Sequence, residues 1–340
     1  MATLTFKDFK SDQEVRWCPG CGDHAVLAAL QRALPKVSQA LNYDKERYVV
    51  VSGIGCSSRL PYYMDTYGFH SIHGRATPIA TGIKVANPQL TVWQVCGDGD
   101  ALAIGGNHFI HAIRRNIDIN ILLINNQIYG LTKGQYSPTS KFGAITKTSP
   151  YGTVEHPFNP GGLVLGAQGT FFARSLDVEL KLNEEIMTAA ALHDGCSVME
   201  MLTNCVIFND GAHKRLSDPA TKADTTIVLR HGEKMVFGKN RDKGLIYDGK
   251  KLRVVHIGDE GGFSIDDVLV HDAHTNNIGM HMALAEMKGP EYPVALGVIR
   301  DVKDITYDDG VRDQVKEVMA KSKIHCMDEL LHSGTTWEVE

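Results

Sequence analysis

A doubly wound α/β fold with a mainly parallel sheet is what this sequence predicts, on three observations. Apolar runs of strand length alternate with segments of helical periodicity over residues 47–202, the pattern of parallel strands joined by helical crossovers. Several runs end in glycine-rich turns, where the chain can bend sharply and let a ligand approach the backbone. Four residues of ligand type, Cys56, Asp98, Asn126 and Cys205, each follow the end of a different run. In an open parallel sheet such carboxyl ends share one edge, and that edge borders the ligand crevice.

The 340 residues leave room for about two domains and a large core. Hydrophobic residues at 43% and charged residues at 22% are ordinary for a soluble globular chain. A net charge of −5 gives no electrostatic case for nucleic acid or for an anionic membrane surface. No apolar run approaches the length of a spanning helix. Residues 1–8 carry no apolar signal core, so a cytoplasmic chain is expected. In a reducing compartment seven cysteines suit chemistry or metal better than disulfides.

Residues 1–16 read as a polar surface arm. A helical pattern over 23–34 follows, with Val26, Leu27, Leu30 and Leu34 on one face. Asp23 can cap it and Pro35 ends it. Just before it stands Cys18-Pro19-Gly20-Cys21. A thioredoxin-like pair needs a preceding strand, which residues 8–16 do not supply. Half of a structural zinc site and half of a four-cysteine iron–sulfur site remain, and either needs two more thiols. Residues 47–52 are a strand candidate leading to Gly53-Ile54-Gly55-Cys56-Ser57, and 197–202 another leading to Cys205. Cys96 lies inside a strand and Cys196 just before one, as core thiols do; Cys326 has no evident partner. Ligand type does not separate zinc from iron–sulfur. Location favours the cluster, because thiols on the ligand edge suit an electron acceptor and give a structural zinc no reason to be there.

Beyond Cys56 come Arg59 and then His73, in His70-Ser71-Ile72-His73-Gly74-Arg75. Alone, one would be a solvated charge and the other a loop histidine. Beside a ligand edge, Arg59 can hold a substrate carboxylate bidentately, and His73 can hydrogen-bond a cofactor or a reacting carbonyl.

Residues 91–96 read as a buried strand, Gly97-Asp98-Gly99-Asp100 as a turn, 101–116 as a helix and 119–124 as the next strand, ending in Asn125-Asn126. A lone Gly-Asp-Gly is usually only a turn. Here Asn126 follows 28 residues after Asp98, again at a strand end. One carboxylate and one amide oxygen suit Mg²⁺, whose octahedron phosphates complete, and the helix start offers N–H groups to an anion. The reading is a magnesium-bridged diphosphate site. No G-x-G-x-x-G occupies the turn, which counts against a nicotinamide enzyme. His108 and His111 stand three apart on the helix, a spacing that is more often packing than ligation. Gly130, Leu131 and Thr132 fall in the loop after Asn126, Thr132 within reach of a phosphate oxygen.

A strand at 170–173, a helix at 177–193 and the strand before Cys205 complete five parallel strands in a domain ending near residue 210. Residues 211–340 read as an extension packed on that domain or on a partner. Hairpins are expected among 225–230, 234–238 and the flanks of 247–250, then a helix at 277–287, a strand at 294–299 and a charged helix at 310–323.

The Gly97-Asp98-Gly99 turn with Asn126 at that distance resembles the thiamine diphosphate signature. In that family the Asp, the Asn and a backbone carbonyl two residues on hold the metal, which implies Asp98, Asn126 and the carbonyl of Ile128. Further matches are Cys18-Pro-Gly-Cys21-Gly, Gly-Ile-Gly-Cys56, His73-Gly-Arg75, Asn126-Gln-Ile-Tyr-Gly-Leu-Thr-Lys-Gly-Gln135 and the late Cys205. Together they make residues 17–212 resemble the β subunit of 2-oxoacid:ferredoxin oxidoreductases. Gly-Ile-Gly-Cys56-Ser-Ser-Arg59 most resembles the 2-oxoglutarate type.

The resemblance implies a thiamine diphosphate-binding fold and a [4Fe–4S] cluster on Cys18, Cys21, Cys56 and Cys205. It implies that Gly55, Cys56, Ser57, His73, Gly97, Asp98, Gly99, Asp100, Asn126, Ile128, Gly130, Leu131 and Thr132 form the diphosphate and Mg²⁺ half of a cofactor site. The implied reaction is decarboxylation of 2-oxoglutarate onto coenzyme A, or its reverse, with electrons passing through the cluster to ferredoxin. Arg59 would meet the distal carboxylate. An α subunit would supply the glutamate that activates the cofactor, in an αβ dimer of dimers, so this chain alone would be inactive. No second cysteine run of ferredoxin spacing occurs, and one cluster is expected. A non-redox thiamine diphosphate decarboxylase or synthase would keep Asp98 and Asn126 but has no need of four converging thiols. A zinc-stabilised binding module would keep the cysteines without the Gly-Asp-Gly…Asn pair.

Overall fold

The apolar runs form strands β1 (Tyr48–Ser52), β3 (Thr91–Gly97), β4 (Asn120–Asn125), β5 (Phe171–Leu176) and β6 (Ser197–Leu202), with β2 (Tyr67–His70) between the first two in sequence. This computed structural model describes residues 4–258 and 262–339. Strands β7 (Thr226–Leu229) and β11 (Val294–Asp301) join the same eight-stranded sheet, in the order β2-β1-β3-β4-β6-β5-β11-β7. The first six in that order are parallel. Strand β11 lies antiparallel to β5 and parallel to β7. A small antiparallel sheet holds β8 (Val236–Phe237), β9 (Lys243–Tyr247) and β10 (Leu252–His256).

Both faces of the large sheet are covered, as parallel strands require. In β4, Ile121 and Leu123 belong to one core and Leu122 and Ile124 to the other. Helices α1 (Asp23–Leu41) and α5 (Leu180–Leu192) contribute to the second core. Helices α2 (Ala76–Ala86), α3 (Gly106–Arg114) and α4 (Pro160–Gly166) contribute to the first. Two single-turn helices follow, α6 (Lys214–Ser217) and α7 (Lys222–Thr225), then α8 (Ile278–Glu286), α9 (Tyr307–Lys321) and α10 (Met327–Leu331). Among the described residues, no helix is long and apolar enough to cross a membrane.

The structure departs from the sequence expectations in six places. Helix α1 runs through Pro35 to Leu41, although proline inside a helix costs about 3 kcal/mol. Beyond it Val37 and Ser38 are buried, and Ser38 hydrogen-bonds the Tyr48 hydroxyl at 2.9 Å; the packing of the second half outweighs the lost bond. Asp23 makes no capping bond; it opens the helix as a buried residue. The helix expected over 101–116 begins instead as a π-helical turn, Asp100–Ile104, before α3. The N-terminal arm is anchored: Phe9 is fully buried and meets Tyr48 edge to face. The exposed edge strand β2 was not expected. Lastly, the chain beyond residue 210, expected as an extension packed on the domain or on a partner, lends two strands to the main sheet itself.

Candidate functional site

Because β1, β2, β3, β4 and β6 are parallel, the loops after them leave from one edge. Those loops carry Cys56, His73, Asp98, Asn126 and Cys205. The loops after β1, β2, β3 and β4 enclose a cavity of about 560 Å³. All thirteen residues expected to line a cofactor site, from Gly55 to Thr132, line it, joined by Ile54, Tyr129 and Gln135.

Asp98 is 2% exposed. Its Oδ2 accepts from Ser137 Oγ at 2.5 Å and from Thr139 Oγ1. Burial pushes the Asp98 carboxyl up to about 6, and the two hydroxyls pull against that rise. A buried carboxylate with hydroxyl partners and no cation beside it is what a bound metal would complete. The asparagine turn supplies the other oxygens. Gln127 takes a left-handed backbone, φ 58°, and the Asn126 side chain accepts from Ile128 N at 3.1 Å. The carbonyls of Asn126 and Gln127 accept from Asn209 and Ser140. That of Ile128 receives no hydrogen bond among the described residues. One carboxylate, one amide oxygen and one uncommitted carbonyl are a hard-oxygen set that fits Mg²⁺.

Sequence reasoning missed what holds this set. Ser137, Thr139 and Tyr129 lie in a loop whose composition reads as ordinary turn. The Tyr129 hydroxyl donates to Gly99 O at 3.0 Å, and a Cβ on Gly99 would stand 2.2 Å from the tyrosine ring. Glycine is therefore needed there for space. Burial raises the Tyr129 phenol to about 12, so it keeps its proton. Asn125 is structural: it accepts from Thr139 at 2.9 Å and donates to Glu200 at 2.7 Å. Glu200 is in turn held by Arg174 at 2.6 Å, and Arg174 reaches the Ala285 carbonyl at the end of α8. Thr132, expected near a phosphate, spends its hydroxyl on Gln135 at 2.5 Å.

Asp100 knots three strand ends together. Its Oδ1 accepts from Gly74 N at 2.7 Å, Ile54 N at 3.2 Å and His73 Nδ1 at 2.7 Å. A side chain at Gly53 would collide with its other oxygen, 2.0 Å away.

A second cavity, of about 190 Å³, adjoins the first. Cys18, Cys21, Cys56 and Cys205 line it, together with Arg59. The walls of the two cavities share Cys56, Asn126, Gly130 and Leu131. A Cβ on Gly130 would lie 3.5 Å from Cys56 Sγ and 3.6 Å from Cys205 Sγ. The thiols meet because their loops interlock: Gly22 N donates to Asn204 O at 3.2 Å, and the Trp17 indole donates to Cys56 O at 2.7 Å. All are free thiols. Burial raises Cys21, and raises Cys56 to about 11. Four thiols spread around a void fit a larger, multi-iron group.

Arg59 thus stands beside the thiols rather than in the larger cavity, where its guanidinium donates to Arg16 O at 3.1 Å. His108 and His111 lie on α3, outside both cavities. Cys96 and Cys196 are buried, and Cys326 is exposed.

Residues 53–201 match the family model described as the C-terminal thiamine pyrophosphate-binding domain of thiamine pyrophosphate enzymes. The chain is 48% identical over 337 residues to the Mycobacterium tuberculosis 2-oxoglutarate oxidoreductase subunit KorB, covering 98% of this chain and 88% of that one. It is 44% identical to the β subunit of 2-oxoacid:ferredoxin oxidoreductase 1 of Aeropyrum pernix, over 62% of this chain and 65% of that one. Its fold is similar to that of the Magnetococcus marinus 2-oxoglutarate:ferredoxin oxidoreductase solved with 2-oxoglutarate, coenzyme A and succinyl-CoA. The TM-score is 0.77 at 29% identity, covering 99% of this chain and 98% of that one.

Proposed function

The chain belongs to the family of 2-oxoacid:ferredoxin oxidoreductase β subunits, and from that premise we propose that it is the β subunit of a 2-oxoglutarate:ferredoxin oxidoreductase. The complex would convert 2-oxoglutarate and coenzyme A to succinyl-CoA and CO₂, or run the reverse carboxylation. The observation that carries this reading is the shared wall between a hard-oxygen cavity and a four-thiol cavity. A thiamine diphosphate enzyme without redox chemistry needs only the first, and a zinc module only the second.

Asp98, the Asn126 amide and the Ile128 carbonyl would hold Mg²⁺, with Ser137 and Thr139 orienting the carboxylate. Thiamine diphosphate, when bound, supplies the electron sink that lets a 2-oxoacid lose CO₂. The glycines at 97 and 99 keep that wall open to a diphosphate. Cys18, Cys21, Cys56 and Cys205 would hold a [4Fe–4S] cluster, for which each thiol must give up its proton. Cys56 belongs to both cavities while Cys18 is exposed. A cluster held by these thiols would lie between the cofactor cavity and solvent, and would supply one-electron transfer toward ferredoxin. Arg59 would take the distal carboxylate of 2-oxoglutarate. Among the described residues no glutamate lines the larger cavity; an α subunit would supply the activating one, in a cytoplasmic αβ dimer of dimers.

Anaerobic co-purification with the α subunit tests the reading. Brown protein with broad absorbance in the visible, iron but no stoichiometric zinc, and saturable thiamine diphosphate binding are expected. Colourless, zinc-containing protein would overturn it.

A further inference from the structure

Five titratable side chains line the larger cavity: Cys56, His73, Asp98, Asp100 and Tyr129. Four are committed. Cys56 belongs to the thiol set. Asp98 is tied by Ser137 and Thr139 and is allotted to the metal. Tyr129 gives its proton to the Gly99 carbonyl. Asp100 spends Oδ1 on three partners.

His73 remains, and its chemistry is fixed by the last of these. Two backbone N–H groups already point at Asp100 Oδ1, so that oxygen carries no proton of its own. His73 Nδ1, 2.7 Å from the same oxygen, must therefore be the donor. A neutral ring then carries its one proton on Nδ1 and a lone pair on Nε2. Nε2 makes no hydrogen bond among the described residues, and the side chain is 36% exposed on the cavity wall. In this tautomer the ring accepts. It cannot donate to a substrate carbonyl.

Resting on the function proposed above, we propose that His73 is the proton acceptor for the coenzyme A thiol and that Asp100 is the residue positioning it. Once the two electrons of the oxidation have left for ferredoxin, the S–H bond breaks, its proton goes to Nε2, and the sulfur electron pair forms the bond to the acyl carbon as the bond between that carbon and the cofactor breaks, its electron pair leaving with the cofactor. No oxidant is consumed in the step. The Asp100 oxygen 2.7 Å from Nδ1 faces the imidazolium that forms and stabilises it.

The test uses the assembled enzyme and separates two half-reactions: 2-oxoglutarate-driven cluster reduction without coenzyme A, and coenzyme A-dependent succinyl-CoA formation. His73→Asn keeps an N–H for Asp100 but has nothing at the Nε2 position. His73→Gln brings an amide oxygen toward that position, an acceptor that cannot hold a proton. For both variants the thiol-dependent step should fall at least about 10²-fold further than the thiol-free step does. Nitrogen NMR of ring-labelled histidine in the full chain gives a readout independent of turnover. The His73 proton should sit on Nδ1, persist there in Asp100→Asn, whose amide oxygen can take over the same bonds, and lose that preference in Asp100→Ala. Equal loss in both half-reactions, rescue by glutamine, or a ring proton on Nε2 would overturn the assignment. A wild-type complex that performs neither half-reaction would defeat the proposed function itself, and this role with it.

Discussion

Replacing Thr139 by valine should weaken Mg²⁺ and thiamine diphosphate binding near neutral pH and spare it in mild alkali. The hydroxyl is one of two holding the Asp98 carboxylate against the effect of burial, and valine keeps the branched shape. A hydrogen bond to a charged group contributes about 1.5–3 kcal/mol, and about 1.4 kcal/mol corresponds to one pKa unit. Losing it should lift Asp98 from about 6 to about 7–8. Thr139 has one proton for two acceptors, Asp98 and Asn125, which puts the shift toward the lower end. The ionised carboxylate binds the cation, so affinity rises with pH through this pKa and levels off above it. Near pH 7 the ionised fraction would drop from about nine-tenths to between about half and one-tenth, a two- to tenfold loss of apparent affinity. Calorimetric titration of the assembled complex at about pH 7 and about pH 8.5 reads it. A loss of equal size at both values, or none at either, would refute the argument that the hydroxyl acts through the carboxylate's charge.

Three further substitutions probe the surroundings. Gly99→Ala drives a methyl into the Tyr129 ring and should cut thiamine diphosphate affinity at least about tenfold with the fold intact by circular dichroism, since about 1.4 kcal/mol suffices; unchanged affinity would mean the ring moves freely. Glu200→Ala leaves the Arg174 guanidinium buried without its partner and should cost about 3–5 kcal/mol in denaturant unfolding; a loss under about 1 kcal/mol would show that water reaches the pair. Arg59→Ala should lower kcat/KM for 2-oxoglutarate at least about tenfold more than for pyruvate; equal losses would remove the carboxylate role.

The central sheet was legible because β1, β3, β4, β5 and β6 are buried on both faces and so appear as unbroken apolar runs. Strand β2 was not, since Tyr67, Gly68, Phe69 and His70 are all exposed at the edge and show no alternation. Nor was the continuation of α1 past Pro35, because local propensity argues for a stop and only the burial of Val37 argues against it. Of the lining of the larger cavity, Cys56, Asp98 and Asn126 could be read from their places at strand ends; most of the remainder was implied by the family resemblance. The hydroxyls of Ser137 and Thr139 could not be read: they reach Asp98 across 39 and 41 residues of chain, and nothing in their neighbours distinguishes them from turn residues. The role of Asp100 was likewise hidden, because a second aspartate in Gly-Asp-Gly-Asp reads as another cofactor ligand until its three N–H donors are seen.

The most direct measurement follows the visible absorbance of the anaerobic complex after 2-oxoglutarate is added. If the shared wall at Cys56 and Gly130 links the two sites, the absorbance bleaches only when thiamine diphosphate and Mg²⁺ are both present. Bleaching without them, or intact colour while CO₂ is released, would contradict the account.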